Sequence, residues 1–590
     1  MKSQVTAMDL GAAGVSFASL ALQLFQGCVQ GFIFFNTAQH IGEDGGLFRA
    51  GLEFEKYRLI SWARKAGLLE EDANPSPRVS WQLATMLLEQ LSAFVTSADK
   101  LAKKYALSIS EEAIEERERA FVAEPPKQGL AKLLSRLKPE IYSTSGKIIQ
   151  ANNGAMKRMR WAATGKDNAK RIIREIHDLI DKLESLLDSI DRESRRVEDT
   201  RLLRNLVSLS TTATEVIELR DMLGSSMSLS NSERAIRAAA YVKQIRLTLG
   251  ADRREDEVQP VATAATRSIM PPLKVIKKSL KAWSGVELQL AGIEFARYNN
   301  SQVIVQWKIA EGTFWEKYKD QMKSLAVLLM SFSHTSFRSP QCIGYYPGES
   351  LGRHAIVFSL PEGTSSLSMK SLSQLISEEK AISLSRRLAI ARALAETILQ
   401  LHTAGWMHKG LTSENIIFLA PEGSQNEDFL RSEPLVMGYD YARPDTADAA
   451  VAFTQLPESK PSAELYRHPQ ARGLARETYQ KRFDLYALGC LFVELALWQL
   501  MADVHTSFTT NDLVEKMAKA VEPGATVIDI PTLSDLLEND GALASMKHQA
   551  GEQIVEVIST CCYINKAEDG KEAALDEQLK VLEVLSQCKL

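Results

Sequence analysis

Residues 10–42 read LGAAGVSFASLALQLFQGCVQGFIFFNTAQHIG, 33 positions without a charged side chain when His40 is neutral. As a helix, such a run is long enough to cross ~30 Å of hydrocarbon. Yet Ser16, Ser19, Gln23, Gln26 and Gln30 recur at spacings of 3, 4, 3 and 4. This draws one uncharged polar stripe along the helix, with Leu20, Leu22, Leu24, Phe25, Val29 and Phe32 around the rest. A lipid-spanning helix seldom carries such a stripe. A secretory signal also fits poorly, because Asp9 interrupts the basic start and no small-x-small cleavage site follows. Two readings stay open. In one, the segment is a core helix of a bundle whose stripe meets water. In the other, a stripe without charge loses little on leaving water for a membrane or an oligomer interface. The candidate membrane-active helix then spans about 8–36, with Leu20, Leu24, Phe25 and Phe32 on its apolar surface. Gly27 and Gly31 form a GxxxG pair that permits close helix contact.

Outward from this segment the pattern stays helical to about residue 220, with few Pro or Gly. Leu47, Leu52, Tyr57, Ile60 and Trp62 share one helix, and Trp81, Leu83, Leu87, Leu91, Phe94 and Leu101 a second. Ile172, Ile176, Leu179, Leu183 and Leu186 share a third. Breaks fall at Asn74 to Pro77 and at Pro125-Pro126. An all-α helical bundle over residues 1–220 is expected. From Pro126 to Arg174 twelve Lys or Arg stand against two acids, a net of +10. Lys157, Arg158, Arg160 and Lys166 are the candidate contacts to anionic lipid, at ~1 kcal/mol for each basic residue near a charged surface. The competing reading is a solvated face balanced by acids such as Glu111, Glu112, Asp178 and Asp181.

The opening Gly11-Ala-Ala-Gly14 with Phe17, Cys28 and Phe35, and then Glu53-Phe-Glu-Lys-Tyr-Arg-Leu-Ile-Ser-Trp62, resemble the fungal HeLo domain, the prion-inhibition and propagation domain. So does Trp161-Ala162 followed by Lys166 and the helix through Leu187. The resemblance covers roughly residues 5 to 220 and is distributed over them. It implies a cell-death effector whose bundle releases its amino-terminal helix to permeabilise the plasma membrane.

Beyond the bundle, residues 221–284 read as a helical brace and linker, with a helix over Glu233 to Leu249 and a polar stretch from Ala251 to Pro260. Strands come next, Val303 to Trp307 running into Lys308 and then Arg353 to Leu360, followed by helices that include Ser383 to His402. Residues 285–590 therefore read as an α+β domain in two lobes. Its sharpest signal is His408-Lys-Gly-Leu-Thr-Ser-Glu-Asn415 before the strand Ile416-Ile-Phe-Leu419, which resembles the catalytic loop of protein kinases. Asp484-Leu-Tyr-Ala-Leu-Gly489 and Leu465-Tyr-Arg-His-Pro469 resemble two further kinase segments, in the expected order.

What the chemistry requires is missing. Phosphoryl transfer needs a carboxylate to accept the proton of the attacking hydroxyl, and Gly410 stands in its place. Gly438 replaces the metal-binding acid, with Asp440 two residues later, and no glycine-rich loop precedes Lys308. Glu316 is the nearest candidate partner for Lys308. This is a pseudokinase reading, in which His408 has a scaffold role, Asp484 is one of the degenerate kinase positions and no residue is catalytic. Lys308 and Asn415 either hold ATP weakly without turning it over or are structural relics. No other cofactor and no metal is expected.

The whole chain bounds these readings. At 590 residues and 65.5 kDa it is multidomain, and 45% hydrophobic with 24% charged residues excludes collagen-like, wholly disordered and polytopic membrane classes. A net charge of −4 argues against nucleic acid as a partner by bulk attraction. Six cysteines without a CxxC pair support neither a zinc site nor a disulfide framework, so a reducing cytoplasm is expected. A membrane-active bundle joined to a pseudokinase is similar in architecture to mixed-lineage kinase domain-like protein. By that resemblance the chain is a cytoplasmic effector that moves to anionic lipids of the plasma membrane, forms a homo-oligomer there and answers to an unknown upstream activator. The alternatives are an atypical active Ser/Thr kinase and a soluble signalling scaffold.

Overall fold

The computed structural model describes residues 7–36, 45–69, 75–105, 108–113, 126, 128–151, 157–162, 166–224, 229–254, 271, 274–276, 280–282, 292–309, 315–348, 353–360, 366–378, 381–445, 461–472, 477–508, 530–564 and 572–588. The chain divides into two compact units, Met1–Ala240 and Tyr241–Leu590.

The first unit is built from helices α1 (Ala7–Asn36), α2 (Gly45–Lys65), α3 (Trp81–Thr96), α4 (Ala98–Tyr105), α5 (Gly129–Leu137) and α6 (Pro139–Ala151). They are followed by α7 (Lys166–Glu184), α8 (Ser189–Leu209), α9 (Ala213–Leu223) and α10 (Asn231–Arg254). The division between the units falls inside α10, which covers the helix expected over Glu233 to Leu249. Local chemistry fixes the starts. The Asp188 side chain accepts from the Asp191 amide ahead of α8, and Thr212 with Glu215 closes a capping box on α9.

Helix α2 is buried at every position from 50 to 63. A helix enclosed on all sides is normally apolar throughout, and each charge inside it must find a partner. Here Lys56 pairs with Glu53 at 2.8 Å. Arg58 contacts Glu55 at 3.1 Å and reaches α7 through Asp181 at 2.5 Å and Glu184 at 2.8 Å. Arg195 of α8 pairs with Glu184 at 2.7 Å and Asp199 at 3.1 Å, and donates to the Arg58 carbonyl at 2.9 Å. The segment Glu53 to Trp62 is thus the ionic centre of the bundle. Breaking such a buried pair on one side costs ~3–5 kcal/mol.

Two expectations are corrected here. The bundle is not all-α, because β1 (Ser108–Ala113) and β2 (Lys157–Ala162) pair antiparallel, with Glu112 opposite Arg158 and Ser110 opposite Arg160. The run Arg158-Met-Arg-Trp161 alternates with period two, a strand signal that the count of basic residues obscured. The register sets the basic strand against one carrying Glu111 and Glu112. The side chains of Lys157, Arg158, Arg160 and Lys166 lie outside the described residues. The helix expected from Trp81 through Leu101 is two helices, α3 and α4. They break at Ser97, whose extended backbone and hydroxyl, accepting from the Lys100 amide at 3.4 Å, restart the chain as a cap.

The second unit opens with an antiparallel sheet of β3 (Lys281–Ala282), β4 (Ile293–Tyr298), β5 (Ser301–Ile309), β6 (Cys342–Gly348) and β7 (Arg353–Ser359), in the order β3-β4-β5-β7-β6. Ile276, Ala296, Val303, Val305, Ala355 and Val357 form its core, and α11 (Trp315–Met330) packs on β6 and β7. Then come β8 (Leu367–Ser371), α12 (Leu372–Glu378), α13 (Leu384–Thr403), β9 (Trp406–Met407), β10 (Ile416–Pro421), α14 (Asn426–Arg431), β11 (Leu435–Val436) and β12 (Arg443–Pro444). The remainder is helical: α15 (Pro461–Glu464), α16 (Lys481–Leu497), α17 (Met501–Phe508), α18 (Leu533–Glu538), α19 (Asp540–Ala550), α20 (Glu552–Cys562) and α21 (Glu572–Gln587). Strands first and helices later are compatible with a two-lobed domain. On α20 Cys561 is buried and the neighbouring Cys562 only partly so.

Candidate functional site

Two places gather the residues singled out in the sequence. The first is the seat of α1 in the helical unit. Phe25, Cys28, Val29 and Phe32 are fully buried at 0–1% exposure and follow helical spacing. Helix α1 lies against α3 closely enough that the Thr85 hydroxyl donates to the Phe17 carbonyl at 3.2 Å. Gly27 and Gly31 allow this approach. A Cβ added at Gly31 would stand 2.4 Å from Val95 Cγ2 and 3.2 Å from the Val95 carbonyl oxygen; one at Gly27 would stand 3.3 Å from Ser92 Oγ. The GxxxG spacing therefore serves packing within the chain. Leu24 is half-buried and Leu20 is 44% exposed beside Phe17 at 38%.

The polar stripe divides along its length: Ser19 and Gln23 meet water while Gln26 and Gln30 are half-buried. Gln30 Nε2 is enclosed with no hydrogen-bond partner among the described residues. Such an orphan costs ~1–3 kcal/mol. Ser16 and residues 37–42 carry no described side chain. Among the described residues no single helix is long and apolar enough to cross a membrane, and the apolar part of α1 runs from Phe17 to Ile33.

The second place is the loop after β9, where the three kinase-like segments meet. Asp484, fully buried on α16, accepts from the His408 amide at 2.8 Å, the Lys409 amide at 2.9 Å, His402 Nε2 at 3.0 Å and the Tyr479 hydroxyl at 2.8 Å. Burial alone would raise its carboxyl, but the His402 hydrogen bond, nearby imidazoles and the amide donors outweigh it and hold the group below its ordinary range. His408 is fully buried, and burial pulls its imidazole down to about 4. Its Nδ1 accepts from the Gly410 amide at 3.2 Å and its ring packs on Tyr439 at 4.9 Å. It is neutral at pH 7 and structural.

Gly410, Asn415 and Gly438 interlock. Asn415 Nδ2 donates to the Gly410 carbonyl at 2.6 Å. A Cβ at Gly410 would meet the Gly438 carbonyl oxygen at 2.8 Å, and one at Gly438, whose φ is +87°, would lie 2.4 Å from Asn415 Nδ2. The described side chains at these three positions offer no carboxylate, and the only metal-capable amide is engaged with the loop itself. Lys308 is nearly buried on β5, its ammonium 3.6 Å from the centroid of the Tyr441 ring. The side chains of Glu316 and Asp440 lie outside the described residues. Gln306, which accepts from the Gly438 amide at 3.2 Å, and Tyr441 carried no motif signal in the sequence.

The third segment joins through a buried relay. Ser413 Oγ lies 2.9 Å from the Tyr466 hydroxyl, which donates to Glu494 Oε1 at 2.5 Å, and the Met501 amide donates to the same oxygen at 2.9 Å. Burial pushes the Glu494 carboxyl up to about 7. A carboxyl whose folded pKa is raised opposes folding once the unfolded chain ionises, so its penalty grows from pH ~4.5 to ~7 and then levels. Glu494→Gln should therefore stabilise the protein by about 2–3 kcal/mol at pH 8 and by little at pH 4.5. Urea unfolding at the two pH values checks this, and an equal effect at both would reject it.

Residues 12–222 match the HeLo family, prion-inhibition and propagation. No curated protein matches the chain.

Proposed function

We propose that the chain is a regulated cell-death effector in which α1 leaves its seat against α3 and, with copies of itself, permeabilises the plasma membrane. The observation that carries this reading is the seat: a helix without charge from Leu10 on, whose apolar face is buried through two glycines, with Gln30 left unsatisfied in it. Leaving costs ~25 cal/mol for each Å² of apolar surface uncovered, which lipid restores, and from Leu10 on no charge has to be desolvated. The HeLo match over residues 12–222 supports a cell-death role. The basic positions Lys157, Arg158, Arg160 and Lys166 supply attraction to anionic lipid, lessened by the acidic strand set against them.

On this reading the second unit is a pseudokinase that receives the signal. The interlocked Gly410, Asn415 and Gly438, and Lys308 stacked on Tyr441, support a scaffold that neither needs nor turns over nucleotide. Shifting the closed form from 99% to 1% takes about 5.5 kcal/mol of differential binding, more than one phosphate supplies, so oligomerisation is the amplifier. The protein is cytoplasmic at rest and membrane-bound when active.

Through its small open fraction, the purified protein should release dye slowly from vesicles containing phosphatidylserine. Leu24→Asp, or removal of residues 1–36, should reduce release at least tenfold. Release unchanged by both alterations would sink the mechanism, and phosphotransfer that Lys308→Ala abolishes would sink the pseudokinase half of it.

A further inference from the structure

The ionic centre of the helical unit holds more acids than bases. Arg58 of α2 and Arg195 of α8 stand among Glu55 of α2, Asp181 and Glu184 of α7 and Asp199 of α8, each acid within ion-pair distance of one or both. Arg58, Arg195 and Glu55 are buried, so two cations answer four carboxylates where water screens little. His177 of α7 lies at the edge of this group with 22% of its side chain exposed, which leaves it open to protons. Each ring nitrogen faces a carboxylate: Nδ1 is 2.8 Å from Glu55 Oε1, and Nε2 is 3.4 Å from Asp181 Oδ2. Arg58 Nη1 lies 2.7 Å from the same Nδ1. Helix α3 also packs on α7, but none of its charged groups lies within ion-pair distance of His177 among the described residues.

A neutral imidazole carries one N–H and one lone pair, so it cannot satisfy this set. With the lone pair at Nδ1 it accepts from Arg58 but also turns that lone pair toward Glu55. With the lone pair at Nε2 it faces Asp181 in the same unfavourable way. The imidazolium donates to both carboxylates, while Arg58 keeps Glu55, Asp181 and Glu184, and a third cation joins the group. We propose that His177 is a proton-operated clasp between α7 and α2, closing as pH falls through neutrality and loosening as it rises. Burial alone would lower the imidazole, but the charge and hydrogen bond of Glu55, together with Asp181, outweigh burial and the opposing Arg58 and hold it above its ordinary value. A group raised in this way contributes stability that is complete below the unfolded pKa, ~6.5, and is lost as pH rises through the folded value. The clasp lies within the helical unit and stands or falls independently of the release of α1.

The test uses the full-length protein with isotope-labelled histidine, followed by NMR as pH is varied. The chain has nine histidines, and the His177 signal is the one absent from His177→Gln. It is expected to titrate above ~6.5. Asp181→Asn, at a half-exposed position, should lower the midpoint, and Glu55→Gln should lower it further. If Glu55→Gln fails to fold, Asp181→Asn still decides. Hydrogen exchange, corrected for its intrinsic dependence on pH, supplies the second readout. Protection of α7 should fall about threefold or more between about pH 6 and about pH 8 in wild type, and by less than about 1.5-fold in His177→Gln. A wild-type midpoint at or below ~6.5 would overturn the proposal. So would a midpoint that neither carboxylate variant moves, or an equal fall in protection with and without His177.

Discussion

Gly31→Leu is expected to destabilise the helical unit by about 4 kcal/mol and to raise basal dye release from phosphatidylserine vesicles at least tenfold. The added Cβ alone would sit 2.4 Å from Val95 Cγ2, 3.1 Å from Val95 Cβ and 3.2 Å from the Val95 carbonyl oxygen. Val95 is fully buried in the last turn of α3, so its side chain has little room to rotate away from the added atom. Helix α1 must then move away as a body, and the burial of Phe25, Cys28, Val29 and Phe32 loosens with it. Overpacking of this kind costs ~1–3 kcal/mol where side chains can adjust and more where backbone is struck. Gly27→Ala is the internal control, since its Cβ meets only the Ser92 hydroxyl at 3.3 Å and the helix gains propensity from the alanine. Its effect should stay below about 1 kcal/mol. Pairing Gly31→Ala with Val95→Ala should recover much of the loss of Gly31→Ala alone, because the variant removes the struck methyl. Urea unfolding and vesicle leakage measured side by side decide it. A Gly31→Leu protein with wild-type stability shows that the seat is not as tight as drawn. One that is destabilised without added leakage separates the seat from the membrane step.

How far this seat could be read from the sequence is instructive residue by residue. The apolar face of α1 follows from spacing, and so does the ability of Gly27 and Gly31 to admit a neighbour. That the neighbour is Val95 of α3 does not follow, because a GxxxG pair says how near a helix can come and not which helix comes. Spacing placed Leu52, Tyr57, Ile60 and Trp62 on one bundle helix, but not the burial of the four charges beside them. Glu53 and Lys56 are allowed inside by pairing with each other, and Glu55 and Arg58 by partners on α7 more than a hundred residues away. The strand β2 was hidden by composition, since counting lysines and arginines discards the alternation that marks it. In the second unit the three segments that resemble kinase motifs could each be picked out of the sequence, and so could the glycines at 410 and 438. Their mutual packing through Asn415 could not, because a glycine in a sequence does not disclose what fills the space beside it. Tyr441 over Lys308 is a contact between a loop and a strand with no shared motif, and nothing in the order of residues announces it.

Asp484→Ala should cost the second unit 5 kcal/mol or more, on the order of a domain's whole stability. The carboxylate takes four hydrogen bonds, from the His408 and Lys409 amides, His402 Nε2 and the Tyr479 hydroxyl, at 2.8 to 3.0 Å, in a place with no access to water. Alanine leaves all four donors enclosed and unpaired, at ~1–3 kcal/mol each before the network relaxes. The effect must also propagate. Lys409 holds a left-handed backbone, φ +64°, fixed by the hydrogen bond its N–H donates to the Asp484 carboxylate, and Gly410 follows directly with its carbonyl anchored to Asn415. Asparagine at 484 keeps one acceptor and should lose less, about 3 kcal/mol. The pH dependence runs opposite to that of Glu494. A carboxyl held below its ordinary range contributes stability that is complete above the unfolded pKa, ~3.9, and disappears as pH falls through the folded value, so wild type should lose the second unit in acid while Asp484→Asn has less left to lose. Calorimetry with hydrogen exchange over residues 408–415 reads both effects. An Asp484→Ala protein within 1 kcal/mol of wild type, with the loop still protected, would show that the hub is dispensable. If the loss is as large as expected while neither wild type nor variant transfers phosphate, then the loop is maintained for its shape. On the proposed reading that is what a unit needs when its task is to hold or release another unit rather than to turn over a substrate.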